Sequence, residues 1–195
     1  MKKILFFSSN ENKKEEIRYI FEKTKIKLLT LSDFPKISEP KENGITFEEN
    51  ASIKSNFGFN NFNIPCFADD SGICIGALKN LPGTKSKRFI QDNGGEQESF
   101  KIIFREIKNK SNKNAFFKTS ISLTVNNKTK YFNGKVSGTI SDHPRGNYGF
   151  GYDPIFIPNG QNKTFGEMLP KEKNKVSHRY IAIKKLQEHL SKYFL

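Results

Sequence analysis

The chain has 195 residues, a formal net charge of +13 and 35% hydrophobic residues, which suits one globular domain, 1–195, with a sizeable core. No apolar stretch approaches the roughly 20 residues of a membrane span, and Ile4 to Phe7 after two lysines is too short for a signal-peptide core. A cytoplasmic protein without a membrane partner is expected, with Cys66 and Cys74 as reduced, buried thiols, too few for a disulfide framework and not grouped with His as in a zinc site.

Lys3 to Ser9 is an apolar run that suits a buried strand, and Asn10 can cap a helix running to about Thr24. A second strand fits Lys27 to Leu31. Thr46-Phe47-Glu48-Glu49 is a capping box opening a helix to about Asn60, and Ile64 to Asp70 returns as a strand. Phe100, Ile103, Phe104 and Ile107 follow i, i+3, i+4, i+7 spacing, which predicts an amphipathic helix over Glu96 to Lys108. Ala115 to Ser141 alternates as a hairpin about Asn126-Asn127. After Gly160 a polar stretch leads to Ser177, which can cap a last helix carrying Ile183, Leu186, Leu190 and Phe194. Strands alternating with helices at both ends, and a hairpin between, predict a mixed-sheet α/β domain.

The charge invites a nucleic-acid reading, but it is made of 28 Lys and only 5 Arg, spread through every segment beside 20 Asn. Arg is the usual reader of phosphate and base edges, so no specific nucleic-acid partner is expected. A nucleic-acid-binding module remains the alternative from another class.

Four constellations could carry chemistry. Asp69 and Asp70 are adjacent carboxylates, two of only six Asp in the chain. Such a pair repels unless a cation relieves it, and Mg2+, which binds one or two carboxylates plus substrate phosphate, is the natural candidate. Asp-Ser-Gly is also ordinary turn chemistry. Ser8-Ser9-Asn10-Glu11-Asn12-Lys13 opens a helix, where free amides and the dipole favour phosphate; Lys13 and Lys14 oppose that dipole unless an anion arrives. Ser177-His178-Arg179 places two more cationic groups at a helix start. Gly149-Phe150-Gly151-Tyr152-Asp153-Pro154 combines close backbone approach, a stacking face and an acceptor, or else is a tight turn packing Phe150 inward.

Taken in order, these segments resemble the inosine triphosphate pyrophosphatase family, the dITP/XTP pyrophosphatases, along the whole chain. The resemblance is carried by Ser8-Ser9-Asn10-Glu11-Asn12-Lys13, Thr46-Phe47-Glu48-Glu49-Asn50-Ala51, Ala68-Asp69-Asp70-Ser71-Gly72, Leu81-Pro82-Gly83 with Ser86-Lys87-Arg88-Phe89, Gly149 to Phe156, and Ser177-His178-Arg179. It implies an elongated mixed β-sheet with flanking helices, two lobes around a central substrate cleft, and a homodimer. It implies hydrolysis of ITP, dITP and XTP at the α-phosphate to monophosphate and pyrophosphate; a Maf-like pyrophosphatase with another base preference is the nearest alternative.

By position in the family's motifs, Ser8, Ser9, Asn10, Glu11, Asn12 and Lys13 would bind triphosphate. Glu42 and Asp70 would hold Mg2+, with Asp70 also the proton acceptor and Asp69 and Arg88 in support. Ser71, Phe150, Gly151, Tyr152, Asp153, Lys173, His178 and Arg179 would bind the rest of the substrate. Ser8-Ser9 stands where Thr-Gly is commoner, and Tyr148 where Gly is frequent. Adjacent strand residues face opposite ways, so Asp69 and Asp70 would not serve one metal equally.

Overall fold

The first apolar run forms β1 (Lys3–Phe6), which pairs in parallel with β2 (Lys27–Thr30) on one side and β3 (Cys66–Ile75) on the other. The computed structural model describes residues 3–22 and 24–194, the side chains of 193 and 194 excepted. Between β1 and β2, α1 (Glu11–Phe21) starts where the Lys13 amide donates to Asn10 Oδ1 at 3.1 Å. It ends three residues before Thr24, whose hydroxyl donates to the Phe21 carbonyl at 2.8 Å and so competes with a further helical turn. Both halves of the capping box at Thr46 are made: the Glu49 amide donates to Thr46 Oγ1 and the Thr46 amide to Glu49 Oε2. They open α2 (Phe47–Phe62), which closes on Asn63 in the left-handed region.

β3 corrects the expected strand end at Asp70. It runs ten residues without a break, so Asp69, Asp70, Ser71 and Gly72 lie inside a strand and not in a solvated turn. Turn chemistry loses here because β3 is buried along nearly all its length and pairs with β4 (Leu81–Pro82) beyond Gly72. Gly72 is required by packing: a Cβ there would lie 2.2 Å from the Gly83 carbonyl oxygen and 2.5 Å from Ser86 Oγ. Gly72→Ala is therefore expected to lower unfolding free energy by about 1–3 kcal/mol through overpacking. An unchanged urea midpoint would count against that contact.

Two short helices went unforeseen, α3 (Ser86–Asp92) and, within the polar stretch before Ser177, α5 (Pro170–Val176). α4 (Glu96–Ile107) follows its apolar spacing, burying Phe100, Ile103 and Ile107. The hairpin of β5 (Asn114–Val125) and β6 (Lys128–Ile140) turns on Asn126 and Asn127, both with positive φ, as a two-residue turn of type I′ demands. β7 (Phe156–Pro158) pairs antiparallel with β6. α6 (His178–Phe194) closes the described chain with Ile183, Leu186 and Leu190 buried; the side chain of Phe194 lies outside the described residues.

The strand order is β2-β1-β3-β5-β6-β7, with β4 against β3: a mixed sheet with helices, as the alternation of elements predicts. Contacts divide the chain into two compact units, one of residues up to Asp70, Thr119–Gly134 and Tyr180 onward, the other of Ser71–Lys118 and Lys135–Arg179. In the first unit β1 and β3 are buried on both faces. Ile4, Phe6 and Phe67 pack with α1 and α6, while Leu5, Phe7, Cys66 and Ala68 pack on the opposite face with Phe57, Phe59 and Phe62 of α2. Phenylalanine supplies the aromatic contacts, as in Phe6 on Phe67 with centroids 5.0 Å apart. In the second unit, α4 packs its stripe against Ile73, Ile75, Phe117, Phe156 and Phe165. Among the described residues no helix is long and apolar enough to cross a membrane.

Candidate active site

In the first unit, the alternation of β3 sends Asp69 toward α1 and Asp70 toward α2. Lys13 Nζ lies 3.1 Å from both Asp69 oxygens, and Asn50 Nδ2 donates to Asp70 Oδ2 at 3.1 Å. Asn50 Oδ1 also accepts the Gly44 amide at 2.8 Å, which ties the loop carrying Glu42 to the same helix. One turn further along α2, Lys54 Nζ donates to the Asp69 carbonyl at 2.7 Å and lies 3.1 Å from Glu42 Oε1. Asp69 and Asp70 are both buried.

Burial pushes the Asp70 carboxyl above its usual value, with Glu42 adding to the rise; Lys54, Lys13 and the Asn50 amide pull the other way without cancelling it. Burial works against the Lys54 charge, but Glu42, Asp70 and Asp69 outweigh it and its pKa is raised. Three carboxylates, Glu42, Asp69 and Asp70, and two ammonium groups, Lys13 and Lys54, meet in this set of contacts. Carboxylate oxygens are the hard donors that Mg2+ prefers. No group of three His, Cys, Asp or Glu suited to a metal occurs among the described residues.

The first helical turn differs from its expectation. The anions that offset Lys13 and Lys14 are already in the protein: Asp69 for Lys13, and Glu11, 2.5 Å away, for the buried Lys14. Ser8 is buried, with its Oγ accepting the Asn10 amide, while Ser9, Glu11 and Asn12 are exposed.

In the second unit, the Phe150 turn is built on Asp153, whose Oδ2 accepts the Phe150 amide at 2.9 Å and pairs with Lys173 Nζ at 2.5 Å. Gly149 has φ +77°, and a Cβ on it would lie 2.0 Å from that same oxygen. Lys173 Nζ lies 4.9 Å and Arg179 Cζ 5.7 Å from the Phe150 ring centre, so the half-buried ring carries two cations. The ring turned inward is Tyr152, whose hydroxyl donates to the Ser86 carbonyl at 2.9 Å and whose burial pushes the phenol up. The Gly151 amide donates to Glu96 Oε1 at 2.7 Å. Arg179 Nη2 donates to Ser71 Oγ at 3.3 Å, and the His178 ring stacks on Phe117 with centroids 4.7 Å apart.

The structure thus joins Lys13, Glu42, Asp69 and Asp70 in one set of contacts, and Ser71, Phe150, Gly151, Tyr152, Asp153, Lys173 and Arg179 by contacts in another, with His178 beside Arg179. Arg88 stands exposed on α3, outside both sets. Asn50, Lys54, Glu96 and Ser86 were not singled out. Asn50 lay in a quoted motif and could have been found; Lys54 is one of 28 lysines and carried no signal of its own.

The model of the Ham1 family matches residues 4–189. The chain is similar to the "dITP/XTP pyrophosphatase" of Christiangramia forsetii, 39% identical over 97% of this chain and all of that protein. It is 38% identical to the protein of the same description from Aquifex aeolicus, over 94% of each. Two solved structures superpose closely: a HAM1 protein from Coxiella burnetii with a TM-score of 0.90 and 33% identity, covering 98% of this chain and all of that one, and the Staphylococcus aureus Ham1 protein with 0.88 and 34% at the same coverage. With a match over nearly its whole length, this chain belongs to the Ham1 family.

Proposed function

We propose that the protein hydrolyses non-standard purine nucleoside triphosphates, ITP, dITP and XTP, to the monophosphate and pyrophosphate. The observation that carries this reading is the buried Asp70 carboxylate, held by Asn50 and acted on by the ammonium groups of Lys54 on α2 and Lys13 at the start of α1. Its support from outside the chain is the shared description of its relatives.

Water attacks the α-phosphorus, the bond to the bridging oxygen of the β-phosphate breaks, and Asp70 takes the proton of the attacking water. Burial raises the basicity of Asp70 above that of an exposed carboxylate, which brings it closer to a useful base. Lys13 stabilises charge on the phosphates, and the amides of Glu11 and Asn12 in the first turn of α1 supply further donors. Mg2+ held by Glu42 and Asp70 would neutralise phosphate charge and acidify a bound water. Lys54 fixes Glu42 and the backbone of Asp69, so it positions both carboxylate carriers.

Base selection falls to Lys173 and Arg179 over Phe150, with His178 beside Arg179 in the chain. A keto oxygen at purine position 6 accepts from donors, whereas the amino group of adenine leaves a buried donor unpaired at a cost of about 1–3 kcal/mol. The deciding measurement is pyrophosphate release from ITP, dITP, XTP, GTP and ATP, with Mg2+ and with EDTA. Magnesium-dependent release from the first three, with ATP at least about tenfold poorer in kcat/KM, is expected. Equal use of ATP would refute the base reading, and a preference for modified pyrimidines would place the chain with Maf-like enzymes.

A further inference from the structure

α6 carries Lys185, Glu188, His189 and Lys192 at i, i+3, i+4 and i+7, which puts them on one stripe of the helix. With Lys130 and Phe132 of β6 they line a cavity of about 300 Å3, within the first unit and apart from the residues of the candidate site. The ammonium of Lys130 lies 3.3 Å from His189 Nδ1, where it donates and the neutral ring accepts. Lys185 Nζ donates to the Asn133 carbonyl at 2.6 Å, which holds its charge at the rim. The Phe132 ring, 5.3 Å from that of His189, is buried and forms a floor.

Three ammonium groups and one carboxylate line this pocket, an excess of positive charge that favours an anion. Burial, Lys130 and Lys192 all hold the His189 ring below its ordinary pKa, as expected where positive charge is in excess. We propose that this cavity is a second anion site, one that takes a small polyphosphate, either an inorganic chain or the phosphates of a nucleotide. Lysines as point charges around an open, solvent-facing pocket suit a compact phosphate ligand. Among the described residues no Arg lines the cavity and the Phe132 ring is buried, which disfavours a nucleic-acid strand.

The test is a titration of inorganic tripolyphosphate into the 15N-labelled full-length chain without magnesium. Amide shifts at Lys130, Lys185, His189 and Lys192, distinct from those at Ser8 to Lys13, are expected, with the His189 ring titrating at higher pH once ligand is bound. Lys130→Gln with Lys192→Gln should weaken binding at these amides about tenfold and leave steady-state pyrophosphate release unchanged. Lys184→Gln, on α6 but outside the cavity lining, should leave binding intact. ATP used in place of tripolyphosphate separates the sources: tighter binding at the same amides assigns a nucleotide, equal or weaker binding an inorganic chain. Shifts confined to Ser8 to Lys13, or a loss with Lys184→Gln as large as with the double variant, would overturn the proposal. So would a single-stranded oligonucleotide that binds the same residues more tightly than tripolyphosphate.

Discussion

Asp70→Asn is expected to lower kcat for pyrophosphate release from ITP by about 10²- to 10⁴-fold, the range that a positioned general base contributes. The substitution keeps shape and most contacts. The side-chain carbonyl of Asn can still accept from Asn50 Nδ2, and loss of one buried charge beside Glu42 removes a repulsion, so thermal stability should hold or rise. Asp69→Asn is predicted to act differently. It removes the charge that faces Lys13 and one of the two oxygens 3.1 Å from its ammonium, so Lys13 is held less firmly and KM should rise more than kcat falls. The two variants therefore separate the chemistry of Asp70 from the positioning by Asp69. Turnover by Asp70→Asn near the wild-type level with saturating magnesium would remove Asp70 from the role of base.

Local signals were legible where the sequence itself contained both partners. Asn10 caps α1, Thr46 and Glu49 form their box, and Asn126-Asn127 takes the positive φ of a type I′ turn, each within a few residues. The split of Asp69 from Asp70 was legible for the same reason, since strand alternation needs no distant information. β3 was misread at its far end because Asp, Ser and Gly favour turns locally, and only the packing of Gly83 and Ser86 against Gly72 reveals why a glycine stands inside a strand. The short α5 carried signals that were passed over. Pro170 occupies its first position, and the Glu172 carboxylate accepts the Leu169 amide at 2.8 Å. Lys54 and Glu96 were hidden by distance: their partners Asp69 and Gly151 lie 15 and 55 positions away. Lys14 shows the opposite error. A lysine taken to await a ligand anion is buried against Glu11 three residues earlier.

The largest effect on stability is expected at Lys173. Its ammonium and the Asp153 carboxylate are 2.5 Å apart with both side chains at 5% exposure or less, so neither group has water to replace a lost partner. Lys173→Met leaves Asp153 charged, buried and short of its partner, which should cost about 3–5 kcal/mol of unfolding free energy. It should also raise KM for ITP, because the Phe150 amide depends on the same Asp153 oxygen and the Phe150 ring loses one of its two cations. Asp153→Asn should be milder as a backbone anchor, since an amide oxygen still accepts from Phe150, but it removes the anion paired with the buried ammonium of Lys173. In the double variant no buried charge is left unpaired. Its destabilisation should therefore fall well below the sum of the two single effects, with a coupling of at least about 1 kcal/mol by urea denaturation. The structure allows the stability loss to be repaired in this way but not the loss of binding: the double variant should recover much of the stability and still bind ITP poorly, because one of the two cations over Phe150 is gone. Additive stability effects, or recovery of KM along with stability, would mean that the pair serves the fold alone.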